Sequence, residues 1–200
     1  MELFRKIYYL VIAISFALFF NCVQAQTNET ENKLLSSRDK STIAIAVLTA
    51  KGDLVQLKSK LIGGLEAGLT INEIKEIVVH TYAYCGFPRS IRGLQTFMEV
   101  LEERKSKGII DQLGNEATKV INEEDKYSRG KSILQKLTNA TIPNTLSGYA
   151  AFAPIIDIFL KEHLFADIFE RDVLSFIQRE WVTISVISTI GEAEPMLKSH

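Results

Sequence analysis

Beyond residue 37, apolar positions recur three and four residues apart, and no segment shows sustained period-two alternation. That spacing predicts an all-α chain. Asp39 to Ala50 is apolar with small residues, as in a buried helix. Asp53 is placed to cap a second helix, in which Leu54, Leu57, Leu61, Ile62 and Leu65 form a stripe. Gly68 stands where helices commonly end in a left-handed residue. Thr70-Ile71-Asn72-Glu73 is a capping box: the hydroxyl takes an orphan N–H and the Glu reaches back. It opens a third helix through Ile74, Ile77, Val78 and Tyr82. Gly86-Phe87-Pro88 breaks that helix, with Pro88 in the first turn of a fourth that runs to about Lys105. The stripe Phe87, Ile91, Leu94, Phe97, Met98 and Leu101 is core or an interface between copies. Residues 109–150 read as a linker with one short amphipathic helix, Lys126 to Leu137. Pro154 to Phe169 is amphipathic, with Ile155, Ile156, Ile158, Phe159 and Leu164 apolar. Asp172 or Ser175 starts the helix that carries Arg179 and Glu180.

One pattern occurs twice. Arg38-Asp39-Lys40-Ser41-Thr42-Ile43 returns about 140 residues later as Arg179-Glu180-Trp181-Val182-Thr183-Ile184. Each copy runs through an apolar stretch to a polar turn, Lys51-Gly52-Asp53 or Gly191-Glu192-Ala193. Each then reaches the same tripeptide, Leu57-Lys58-Ser59 or Leu197-Lys198-Ser199. The expected organisation is a first unit over 37–108, the linker over 109–150, and the N-terminal half of a second unit over 151–200. In that reading Ile184, Val186, Ile187 and Ile190 lack the helices that would cover them, and the chain self-associates through residues 175–200.

The apolar fraction of 46% is ample for a core, and part of it is a leader. Arg5 and Lys6 precede an uncharged apolar run, Ile7 to Phe20, which is shorter than the ~20 residues a spanning helix needs. Val23-Gln24-Ala25 follows. This is the build of a signal peptide over 1–25, so the protein is expected to be exported, periplasmic or secreted, with no stable membrane span after cleavage. An anchored lipoprotein would use Cys22, but Asn21 stands where a small residue is wanted, so this reading ranks second. Cleavage leaves Cys85 alone, without an intrachain disulfide. Net charge is −1 and no basic stripe with interleaved aromatics occurs, so nucleic acid is not an expected partner. Asn28-Glu29-Thr30 and Asn139-Ala140-Thr141 fit the short glycosylation pattern.

The string Gly68-Leu69-Thr70-Ile71-Asn72-Glu73-Ile74-Lys75-Glu76, followed by Tyr82-Ala83-Tyr84-Cys85-Gly86-Phe87-Pro88, resembles the C-terminal half of a carboxymuconolactone decarboxylase domain. Glu162 to Phe169, followed by Arg179-Glu180 and closing on Leu197-Lys198-Ser199-His200, is similar to the N-terminal half of the same domain. The resemblance implies the alkyl-hydroperoxidase D-like helical fold, a homo-oligomer with sites near subunit contacts, and a small-molecule substrate. It also implies a Glu at the start of one helix facing a His near the end of the next. Carried over, these are Glu180 and His200 as catalytic residues; the first unit holds Asp39 and Lys60 there and is mainly structural.

An imidazole beside a carboxylate is an acid/base pair suited to neutral pH. The chemistry implied is decarboxylation of a small carboxylated lactone, with His200 donating a proton and Glu180 orienting it. On spacing alone, Glu180 is a helix-start carboxylate complementing the macrodipole and His200 a solvated side chain. A non-catalytic helical oligomer or remnant is therefore an alternative. A hydroperoxidase-like antioxidant is another, but that branch needs two cysteines where Glu194-Pro195-Met196-Leu197 stands. Cys85 lies near a helix C-terminus, a setting that disfavours a thiolate. His80 follows Glu76 by four, an i,i+4 contact too small for a metal site. His163 is read as a surface or interface residue. No cofactor or metal is expected.

Overall fold

Asp53 opens α2 (Leu54–Glu66) as its spacing predicts: its carboxylate accepts the Gln56 N–H at 3.1 Å. The computed structural model describes residues 35–121 and 123–200. The leader expected over 1–25, Cys22 and the Asn28–Thr30 pattern lie outside the described residues. Before α2 comes α1 (Ser37–Lys51). At the far end of α2 the Leu69 N–H reaches back to the Gly64 carbonyl and the Gly68 N–H to Leu65, with Gly68 at φ 90°. This six-to-one and five-to-two pair closes the helix because glycine alone takes that φ without cost.

The long helix α3 (Ile71–Ser106) starts on Thr70, and both halves of the capping box are made. It contains the expected break: Gly86 sits at φ 80°, ψ 162°, and Pro88, lacking an N–H, lies in the first turn beyond it. The segment read as linker is partly docked. The Gln112 and Leu113 carbonyls accept the Ile71 and Asn72 N–H groups at 2.9 Å, and Arg104 grips Asp111 with two nitrogens. Orphan donors of a helix start are thus met by chain from beyond its end.

Then follow α4 (Lys126–Thr138), α5 (Gly148–Phe152) and α6 (Pro154–Ile158). The single amphipathic helix expected over Pro154 to Phe169 is replaced from Phe159 to Phe169 by an 11-residue π-helix. Its wider winding, i to i+5, brings Lys161 and Ala166, five apart, onto one buried face. Ile155, Ile156, Ile158 and Phe159 stay exposed. The π-helix packs on α4 at Gly130, where a Cβ would overlap the Lys161 carbonyl. Gly130→Ala is therefore expected to push the two helices apart and to destabilise the fold by about 1–3 kcal/mol. Urea unfolding measures it, and an unchanged midpoint would show that the contact yields freely.

The last long helix, α7 (Phe176–Ile190), begins on Ser175, which makes a capping box with Gln178. Asp172 instead accepts the Thr118 N–H at 2.8 Å. α7 lies against α1 and α3, so Leu174, Val182 and Val186 join Ile45, Leu57, Ile77 and Phe97 in one core. Here the sequence expectation is corrected. Val186 is buried in the core that α7 shares with α1, Ile187 is buried as well, and Ile184 is partly buried. Ile190 is 46% exposed. A turn at Gly191 and Glu192, both at positive φ, leads into α8 (Glu194–Leu197). The fold is all-α; among the described residues there is no strand, and no helix is long and apolar enough to cross a membrane. The Phe87–Leu101 stripe divides: Phe97 is in the core, Leu94 and Leu101 pack on it, and Phe87, Ile91 and Met98 are exposed.

Candidate active site

Glu180 sits in the second turn of α7, on the side that α8 folds back to face. The positive-φ turn at 191–192 reverses the chain, and the imidazole arrives with Nδ1 2.7 Å from Glu180 Oε2. The structure therefore brings together the two residues singled out as an acid/base pair. Each side chain is about one quarter exposed, at 26% and 27%. The hydrogen bond to Glu180, opposed by partial burial, raises the His200 pKa above its ordinary value. A carboxylate on Nδ1 fixes which ring nitrogen is committed and leaves Nε2 for a substrate.

The pair lines a cavity of about 770 Å³. Its walls are mainly apolar, with Leu134, Leu160, Leu164, Phe165, Ile187 and Ile190 contributed by α4, the π-helix and α7. Asp39 and Lys60 do not line it. A second polar group does, one that residue spacing did not reveal. Lys161 and Asp157 are buried at 4% and 7% exposure and form an ion pair. Tyr127 Oη donates to the other Asp157 oxygen at 2.7 Å, and its ring lies 5.1 Å from Lys161 Nζ. Burial would raise the Asp157 carboxyl, but the Lys161 and Tyr127 hydrogen bonds outweigh it and hold it below the usual range. The available sign was a charged pair four apart inside an otherwise apolar run.

Behind Glu180 lies a buried ionic cluster. Arg179 is fully buried and donates to Glu76 at 3.1 Å and to the Arg171 carbonyl at 2.7 Å; Arg171 grips the same Glu76 with two nitrogens. Burial acts to raise the Glu76 carboxyl, and the two arginines more than offset it. This corrects the reading of Glu76 with His80 as an i,i+4 contact: Glu76 is occupied by the arginines. His80 is fully buried, edge-on to Phe169 at 5.0 Å, with neither ring nitrogen hydrogen-bonded. Burial first and the Arg179 charge second lower its pKa to about 3, so it is neutral.

Cys85 is half-buried, its thiol donates to the Thr81 carbonyl, and burial raises its pKa. That is the opposite of what a reactive thiol wants. His163 is on the surface, 3.2 Å from Asp167 and edge-on to Tyr82. Among the described residues no cluster of His, Cys, Asp and Glu could hold a metal ion.

Residues 17–97 match the sequence model of the carboxymuconolactone decarboxylase family. That stretch is similar to the family. No curated protein matches the chain. The matched stretch includes α1, α2 and the first part of α3. Glu180 and His200 lie outside the matched stretch.

Proposed function

We propose that this carboxymuconolactone decarboxylase-like protein performs acid/base decarboxylation of a small carboxylated lactone or a similar acid, with His200 as proton donor and Glu180 as its positioning carboxylate. The observation that carries the reading is the 2.7 Å contact between His200 and Glu180 at the wall of a largely apolar cavity. In the step, the bond between the ring carbon and the carboxylate breaks and carbon dioxide leaves. Its electron pair passes into the conjugated carbonyl as an enolate. The enolate collapses by taking a proton at carbon from His200 Nε2, and the neutral imidazole regains a proton from water. Glu180 favours the charged ring before transfer. The leader pattern and the apolar side chains left exposed at Phe87, Ile91, Met98, Ile155 and Phe159 support an exported homo-oligomer as part of the same reading.

The pH profile tests the roles. A donor must be protonated, and Glu180 raises the His200 pKa. Turnover should therefore be full at low pH within the folded range and be lost as pH rises through that raised value. In Glu180→Gln the falling limb should move to lower pH. A profile that rises with pH, or a limb that stays in place in Glu180→Gln, would reverse or remove the assignment.

A further inference from the structure

The charges facing the cavity do not suit a dianion. Its lining holds two acids, Asp157 and Glu180, against one lysine and one histidine. Glu180 is taken by His200. Both Asp157 oxygens are used, one by Lys161 and one by Tyr127. Lys161 is the exception. An ammonium carries three N–H donors, and Asp157 and Tyr127 together engage two of them. The cavity wall thus presents one N–H, unused among the described residues, on a cation that is itself more than nine-tenths buried. Beyond Asp157 and Tyr127 the cavity wall is mainly apolar, with Leu134, Leu137, Leu160, Leu164, Phe165 and Ile187 among its lining.

Size points the same way. A cavity of about 770 Å³ falls in the range of roughly 300–1,000 Å³ that takes drug-sized ligands. The acid of the proposed reaction fills this space only if it carries an apolar extension, and a second carboxylate on that extension would lie against leucine side chains without a partner, at a desolvation cost.

We infer that the cavity takes a mono-anionic ligand with an extended apolar body, its carboxylate hydrogen-bonded by Lys161 Nζ and its body laid along the leucines of α4 and the π-helix. The inference rests on the cavity being the substrate site of the proposed reaction and names the class of substrate. Lys161 sets specificity; it replaces one hydration site of the bound carboxylate, while Asp157 and Tyr127 hold the ammonium in place.

The test is calorimetric titration of the purified chain with three acids, decanoate, butyrate and sebacate, below their aggregation limits. Decanoate should bind at one site per chain. Butyrate should bind at least about tenfold more weakly, since it lacks the apolar body. Sebacate, the same length with a second carboxylate, should also bind at least about tenfold more weakly. The double variant Asp157→Asn/Lys161→Met removes one charge of each sign and should weaken decanoate by about tenfold or more. Circular dichroism checks that it folds. Equal or tighter binding of sebacate or butyrate overturns the inference, as does no saturable decanoate binding or unchanged affinity in the folded double variant. The acid series on the unaltered chain decides the matter even if the double variant unfolds. Binding needs no turnover. Decanoate binding without any lactone-acid turnover would remove the acid/base reading alone, and turnover of a dicarboxylate without decanoate binding would remove this inference alone.

Discussion

His200→Gln is expected to lower turnover of a carboxylated lactone by about 10²–10⁴-fold, the usual share of a positioned general acid. The physical reason is specific to the ring. Glutamine is similar in reach and can keep a hydrogen bond to Glu180, but its amide does not release a proton near neutral pH. The proton on carbon would then have to come from water. The side chain is peripheral to the core, so the change should leave circular dichroism and the unfolding midpoint in place. Release of carbon dioxide, followed at saturating substrate, gives the comparison. A variant that keeps full turnover would remove His200 from the reaction. Absence of turnover in the unaltered chain across candidate lactone acids would place the non-catalytic helical reading ahead.

Glu76→Leu is expected to destabilise the fold by about 3–5 kcal/mol, the cost of stripping a buried ion of its partner. Arg179 is fully buried, and its Nε and Nη1 already lack hydrogen bonds. Without Glu76 only the Arg171 carbonyl would face it. The double change Glu76→Leu/Arg179→Met should recover most of the loss, because an apolar pair in place of a buried ion pair is often neutral. Urea unfolding of the three chains measures this. A loss below about 1 kcal/mol in the single variant would mean that water reaches Arg179. The sign with pH follows from the lowered Glu76 pKa. Its contribution is present above the ordinary carboxylate range and is lost as pH falls through the lowered value.

What could be read from residues alone followed the reach of each interaction. Caps depend on four residues, so Asp53, Thr70 and Gly68 declared themselves, and so did the break at Gly86. The Glu180–His200 pair came from family resemblance, not from spacing, since twenty residues and a reversing turn separate the partners. The π-helix was hidden because its apolar positions also satisfy an α-helical stripe, and its close packing at Gly130 against the Lys161 carbonyl is a contact between segments that spacing does not show. The Glu76 cluster was hidden for another reason. Its partners lie 95 and 103 residues apart, and nothing local in Glu76 selects two arginines over the histidine one turn away. The cover of Val186 was misjudged because the second copy was weighed by itself. Val186 lies in a core shared with the first copy of the same helix.

The meeting of α1 and α7 also fixes an order of events in time. Ile45 and Val182 share one core, yet they lie about 140 residues apart, and closing so long a loop costs entropy that grows with its length. Non-local cores of this kind form slowly. On the ribosome, α1 to α3 emerge and pack on one another before residue 176 is made, leaving bare the side of α1 that α7 covers. A nascent chain paused in that interval displays an aggregation-prone surface. Docking of α7 completes that shared core, and the same helix carries Glu180 to the site.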